Sequence, residues 1–371
     1  MRPGDVIGGY RVVTEPTNAD GGKCVWAFAE KDGKEYFLKR FLEPKRPREG
    51  SAGSTASRRI RLETCREFEE RHRSIMKLLR PDASGAGNLV LATDFFHAGS
   101  TYYKVTERID TASLADPQSL APKQKAVLLR TLATSLRLLH DIDVVHGDLK
   151  TANVLVQKRT AAAFHTAKLI DFDDSYLSGR PPAREEIAGD SLYGAPEWRR
   201  YVRGEESVQA RDLTTAVDVF ALGLMTHLYL TGSLPAYTGR YGSPADAVNA
   251  AEPLVADERL GTPMQALIAA MTSADPGARP TVAGFLEALK DAGLCTLHST
   301  PQPRPAAAVP GGEHAGPTAS DGPRRSRVQF NPPDRSVRRP PAVADDGPKK
   351  SRVRINLGRH RDDLPGTRSV P

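Results

Sequence analysis

The sequence predicts an α+β fold in which strands come early, helices come late, and residues 299–371 stand apart as a tail. Three observations predict it. Five short segments before residue 109 (10–13, 25–30, 35–41, 89–96 and 101–107) read as strands bounded by turn residues. Longer segments at 62–79, 123–140, 217–230 and 281–292 read as helices, the second with Leu128, Leu129, Leu132, Leu136 and Leu139 on one broad apolar stripe. From residue 299 the composition turns to Pro, Arg, Ser and Gly with few aromatics, which predicts disorder.

Taken in order, the first two strands flank Asn18-Ala19-Asp20-Gly21-Gly22-Lys23, a turn in which Gly21 and Gly22 supply backbone freedom. The third strand alternates Tyr36, Leu38 and Arg40 against Glu35, Phe37, Lys39 and Phe41. Residues 44–60 form a basic, Ser/Gly-rich insertion expected to be mobile. The helix at 62–79 follows, then a hairpin around His97-Ala98-Gly99-Ser100. Residues 217–230 contain Asp218 and His227 and read as a buried helix; no run of about 18 uncharged apolar residues exists to span a membrane. The start, Met1-Arg2-Pro3-Gly4-Asp5, lacks the apolar core of a signal peptide. Three scattered cysteines, Cys24, Cys65 and Cys295, are an odd number without metal-type spacing, which fits a reducing cytoplasm.

The chemistry concentrates in residues 145–172, VHGDLKTANVLVQKRTAAAFHTAKLIDF. Phosphoryl transfer from a nucleotide needs a carboxylate to orient the attacking hydroxyl, a cation against the leaving charge, and oxygen ligands for Mg²⁺. Asp148 suits the first role and Lys150 the second; Asn153 and Asp171 suit the metal. The apolar segments 154–156 and 168–170 look like two strands joined by a turn, a hairpin that brings Asn153 and Asp171 to one end.

These motifs, HGDLKxxN followed by DFD, resemble the HRDLKxxN and DFG motifs of eukaryotic-like (bacterial-type) Ser/Thr protein kinases. The resemblance covers roughly residues 10–292. It implies a two-lobed fold, with an N-lobe over 1–109 and a C-lobe over 110–298, and an ATP- and Mg²⁺-dependent activity toward Ser or Thr of protein substrates. Lys39 then stands for the lysine that pairs with the α- and β-phosphates, and the glycine turn for the phosphate loop. Anchoring that loop on Val25 puts Asn18, Asp20 and Lys23 at its three glycine positions. The family holds its lysine with a helix glutamate; Glu67, Glu69 and Glu70 are the candidates. Glu69 is chosen because it shares a face with His72, Met76 and Leu79, with Glu70 in reserve. Thr106 would back the adenine pocket, and the Glu107 carbonyl and Ile109 amide would face the adenine edge. Gly147 replaces the arginine that reads an activation-loop phosphate, Asp173 replaces a glycine, and Asp190 replaces a threonine. Asp218 resembles the aspartate that holds the catalytic loop, and Arg279 the partner of Glu197.

The net charge of +7 resides in the tail, which holds 14 Lys/Arg against 7 Asp/Glu. The octapeptide Asp321-Gly-Pro-Arg-Arg-Ser326-Arg-Val recurs as Asp346-Gly-Pro-Lys-Lys-Ser351-Arg-Val. It resembles a paired linear motif with a central serine. Apart from Phe330 no aromatic interleaves the tail's charges, which argues against nucleic acid. The stretches FLKRFLEPK and FFHAGSTYYKVTERID resemble bacterial kinases encoded beside a phosphatase and a von Willebrand A-type protein. Two other readings share parts of the pattern. Aminoglycoside-type small-molecule phosphotransferases also write HGDLxxxN and IDFxD. Lys150, Gly194-Ala195-Pro196-Glu197-Trp198, Asp218 and Arg279 weigh against them. A pseudokinase scaffold is favoured by the glycine-poor turn, Asp173 and Asp190, and opposed by Lys39, Asp148, Asn153 and Asp171.

Overall fold

The computed structural model describes residues 1–19, 24–48, 54–79, 88–109, 116–159 and 164–299. Six strands form an antiparallel sheet in the order β1-β2-β3-β4-β6-β5: β1 (Val6–Ile7), β2 (Tyr10–Val12), β3 (Cys24–Lys31), β4 (Lys34–Phe41), β5 (Ala92–Ala98) and β6 (Thr101–Glu107). The β3–β4 hairpin closes at Asp32-Gly33, both at positive φ (53° and 73°). An Asp-Gly pair in that conformation matches the twist of the flanking strands. One face of the sheet buries Ala27, Ala29, Leu38 and Val105 completely. The other carries Trp26, Phe28, Phe37 and Lys39 into a cavity.

The expected strands and the HAGS hairpin are all present. The helix α1 (Thr55–Leu78) differs: it starts well before residue 62 and takes up the end of the insertion expected to be mobile. Ser54 caps it by accepting from the Ser57 amide at 3.1 Å, and the following Ala, Arg and Leu residues sustain a helix. Residues 49–53 of that insertion lie outside the described residues, as do Gly21 and Gly22 and the tail from residue 300.

The helical part is centred on α2 (Pro122–His140), whose five striped leucines are fully buried. The strand pair β7 (Val144–Val145) and β10 (Tyr176–Leu177) and the hairpin of β8 (Val154–Arg159) with β9 (Phe164–Leu169) pack beside it. The hairpin register pairs Val154 with Leu169, and the Ile170 amide donates to the Asn153 carbonyl at 3.0 Å. Five helices follow: α3 (Pro196–Val202), α4 (Ala216–Thr231), α5 (Pro244–Asn249), α6 (Thr262–Met271) and α7 (Val282–Ala288). The helix α4 is apolar on every side and buried on almost every side. Gly232, at φ 90°, ends it. The helix α7 stops short of residue 292, and a 3-10 turn at Ala292–Cys295 continues the chain.

Arg279 meets Glu197 through two parallel bonds of 2.7 and 2.8 Å, and both side chains are buried. The guanidinium also donates to the Ala216 and Ser273 carbonyls, so the pair ties α3 to the start of α4. Removing one partner leaves a buried charge unpaired. Arg279→Met is therefore expected to lower unfolding free energy by about 3–5 kcal/mol. Urea titration of the variant checks this; a midpoint equal to wild type would contradict it.

Candidate active site

The loop between β7 and β8 is held from below. The Asp218 carboxylate accepts from the His146 amide (2.7 Å) and the Gly147 amide (3.1 Å), and its third contact is His140 Nε2 at 3.0 Å. The fully buried His146 ring donates from Nε2 to the Ile170 carbonyl (3.0 Å) and accepts at Nδ1 from the Asp148 amide (3.3 Å). One imidazole thereby links the loop to the segment after β9. Gly147 sits at φ +82°, and a Cβ there would lie 2.4 Å from the Asp174 carbonyl oxygen. The loop's path requires glycine, so the family's arginine has no room at this position.

Asp148 lies on this loop with one oxygen occupied and one bare. Its Oδ2 accepts from Asn153 Nδ2 (2.9 Å) and Lys150 Nζ (2.8 Å), whereas its buried Oδ1 has no protein partner among the described residues. Asn153 Nδ2 also donates to the Asp148 carbonyl at 2.8 Å, which leaves the amide oxygen as its remaining acceptor. Lys150 is shared with Asp190 at 3.7 Å. Burial works against its ammonium, yet the hydrogen bond and charge of Asp148, with Asp190 and Asp171 behind, raise its pKa. Asp190 also accepts at Oδ1 from the Leu192 and Tyr193 amides, which shapes the turn before Pro196.

Two cavities adjoin, of about 290 Å³ and about 570 Å³, and Lys39, Asn153, Asp171 and Asp173 line both. The first is bounded by the aromatic face of the sheet, by Thr106, Glu107 and Ile109, and by Leu155 and Ile170. The second contains Asp148 and Lys150. At the junction Lys39 Nζ contacts both oxygens of Asp171 (2.9 and 2.8 Å) and Asp173 Oδ2 (2.6 Å). Asp173 Oδ1 takes Lys104 at 2.5 Å. Burial alone would lower the Lys39 pKa, but Asp173 and Asp171 hold it well above the usual lysine value. Burial opposes the Asp173 charge as well, and Lys104 and Lys39 nevertheless keep this carboxylate ionised far below the usual range. Asp171 sits at φ 62°; burial and the neighbouring Asp173 charge raise its pKa.

The site differs from the sequence reading at three places. Glu69 lies away from Lys39: its carboxylate accepts from Arg46 and from the Tyr102 hydroxyl, both at 2.6 Å. The inward positions of α1 are Phe68, His72 and Ile75, which leaves Glu69 on the flank toward β6 and Glu70 exposed beside Arg66. Trp26, not Val25, pairs with Lys39 across β3–β4 and faces the cavity. A shift of one residue exchanges the faces of a strand, so the glycine template moves to Ala19, Gly21 and Cys24. Thirdly, His72, Lys104 and Asp174 belong to the site and were not anticipated. Lys104 was readable, since it alternates with Thr106 along β6.

The family model of the protein kinase domain matches residues 22–290. The chain belongs to the protein kinase family. Among its relatives, serine/threonine-protein kinase pkn2 of Myxococcus xanthus is 31% identical over 40% of this chain and 17% of its own. Serine/threonine-protein kinase PkaA of Streptomyces coelicolor is 29% identical over 63% of this chain and 40% of its own. Protein kinase kin1 of Schizosaccharomyces pombe is 26% identical over 62% of this chain and 25% of its own. The chain thus spans less than half the length of each. Among the described residues of the kinase, no helix is long and apolar enough to cross a membrane.

Asp174 provides a pH test of this electrostatic picture. Burial, then the charges of Asp173, Asp148 and Asp171, push its pKa up to about 7. An unfolded aspartate titrates near pH 4. The folded kinase therefore keeps a proton that the unfolded chain loses between about pH 4 and 7, and the stability this carries is lost as pH rises through that window. Asp174→Asn is expected to gain stability relative to wild type at pH 8 compared with pH 5. Urea midpoints at the two pH values check this; the same difference at both would contradict it.

Proposed function

We propose that the chain is a Ser/Thr protein kinase that transfers the γ-phosphoryl group of ATP, with Mg²⁺, to hydroxyls of protein substrates. The observation that carries this reading is the bare, buried Oδ1 of Asp148, which lies in the second cavity where that cavity joins the Lys39 and Asp171 cluster. A hydroxyl in the second cavity finds there an acceptor for its proton. Lys150, already paired with Asp148, is the cation nearest that acceptor and stabilises charge on the transferring group. The first cavity suits an adenine ring: Trp26, Phe37, Leu155 and Ile170 offer flat apolar contact, and the backbone at Glu107 and Ile109 offers edge hydrogen bonds. Lys39 receives the phosphates. The free amide oxygen of Asn153 and the Asp171 carboxylate are hard oxygen donors at the junction and fit Mg²⁺, which takes one or two such ligands together with phosphate oxygens. The metal, when bound, neutralises phosphate charge.

The Ser/Thr assignment is supported by the names of the bacterial relatives. Gly147 supports an enzyme that reads no activation-loop phosphate through this position. Three buried free cysteines support a reducing cytoplasm. A cognate phosphatase and a von Willebrand A-type partner rest on sequence resemblance alone. A regulatory role and autophosphorylation at Ser326 and Ser351 are supported by the repeated basic motif, since tethering raises a tail's local concentration to roughly millimolar. A second reading, a nucleotide-binding scaffold without transfer, draws on Asp171, both of whose oxygens are engaged by Lys39.

One experiment separates these. The full chain is incubated with Mg²⁺ and labelled ATP, with and without a generic Ser/Thr substrate, and mapped by mass spectrometry. Wild type is expected to transfer phosphate and to carry it on Ser326 and Ser351. Asp148→Asn and Asp171→Ala are expected to lose on the order of 10³-fold or more. Asp171→Ala is also expected to weaken Mg-ATP binding, whereas Asp148→Asn is not. Saturable Mg-ATP binding without any transfer would favour the scaffold, and wild-type rates in both variants would remove these residues from the mechanism.

A further inference from the structure

In the protein kinase family the strand lysine works only when an acid on the facing helix holds it in place. Among the described residues, no acid of α1 pairs with this lysine, whose ion pairs go to Asp171 and Asp173. Glu69 is engaged by Arg46 and Tyr102, Glu70 is exposed beside Arg66, and Glu67 is exposed at the lining of the second cavity. The position of α1 that turns toward the lysine is His72, which is 2% exposed. Its ring packs against Phe68 (4.3 Å), Phe95 (4.9 Å) and Phe41 (5.2 Å), with Nδ1 3.8 Å from Asp173 Oδ1. Burial among aromatics, with Lys104 close by, drives its pKa down to about 3, so the ring is neutral.

A second peculiarity lies opposite. Lys39 and Lys104 are directly paired residues of β4 and β6, both turned into the cavity. Two like charges in that arrangement repel and need an anion between them. Asp173 is that anion: one oxygen forms an ion pair with Lys39 at 2.6 Å, the other accepts from Lys104 at 2.5 Å, and the side chain is only 11% exposed. A helix without an acid on the lysine, a second lysine paired with it across the sheet, and Asp173 where the resembled motif has glycine form one compensated arrangement.

We propose that Asp173, seated between Lys104 and His72, is the positioning residue for the phosphate-binding Lys39 and replaces the helix glutamate. This rests on the functional reading above, in which Lys39 contacts the nucleotide. It makes the order of the segment after Asp171, rather than the placement of α1, the condition for a competent lysine.

The test measures Mg-ATP affinity by calorimetry and KM and kcat toward ATP and a peptide, all on the full chain. Wild type and Lys39→Met test the functional reading itself: binding by the first and its loss in the second are expected. Asp173→Asn is then expected to raise the Kd and KM for ATP roughly 30-fold, the low end of what losing one partner of a buried charge pair costs, with the peptide KM unchanged. Glu69→Ala is expected to leave both within about twofold, since neither Glu69 nor its partners Arg46 and Tyr102 line either cavity. The double variant Asp173→Gly with His72→Glu restores an acid from the helix side. It is expected to recover most of the lost affinity, which repair of folding alone would not do selectively for ATP. A functional wild type whose Asp173→Asn variant binds ATP normally would overturn the proposal. So would a Glu69→Ala variant as impaired as Asp173→Asn, or a double variant no better than Asp173→Gly alone.

Discussion

Two lysine side chains facing one cavity from adjacent strands are the constraint on which the rest of the site depends. Lys39 and Lys104 are each about one-tenth exposed, so water cannot relieve their repulsion. The relief comes from the helical part of the chain, through Asp171 and Asp173. Charge balance therefore requires the sheet and the segment after β9 to meet. The meeting is reinforced by the Val90 amide, which donates to the Leu169 carbonyl at 2.9 Å. The two cavities exist on either side of this junction because its four shared residues divide them.

The lower half of the site solves a different problem, that of holding a carboxylate oxygen bare in a buried place. Such an atom costs free energy that the hydrogen bonds fixing the surrounding backbone must offset. Asp218 fixes it by collecting two successive amides, His146 by bridging to Ile170, and Ser175 by donating to the His146 carbonyl at 3.0 Å. Gly147 permits the close passage of Asp174 that this folding demands. Asp218, His146, Ser175 and Gly147 line neither of the two cavities, yet each sets where Asp148 points.

Much of this was legible in the sequence. The alternation of β4 placed Phe37 and Lys39 together, and the two apolar segments after Asn153 formed the hairpin that unites it with Asp171. The failures have physical origins. On α1, Glu69 and His72 lie three residues apart and share a helical face by spacing. Which of them turns inward depends on the aromatic residues of β4, β5 and β6 that receive the helix, and these come from distant sequence. The β3 register was missed by one residue because the glycine-poor turn offers no anchor, and in a strand one residue reverses the face. The role of Asp173 was hidden because its partners are 69 and more residues away and on different strands. Read singly it was a lost glycine; only the apposition of Lys39 and Lys104 explains an acid there.

On the proposal above, Lys39 is held for a nucleotide's phosphates by Asp173 and not from the helix. A crystal structure of the full chain with Mg²⁺ and a non-hydrolysable ATP analogue tests it most directly. The analogue's phosphates are expected against Lys39 Nζ, with Asp173 still within ion-pair distance of both Lys39 and Lys104 and with Glu69 still on Arg46 and Tyr102. A structure in which Lys39 reaches a glutamate of α1 while Asp173 turns to solvent would contradict it.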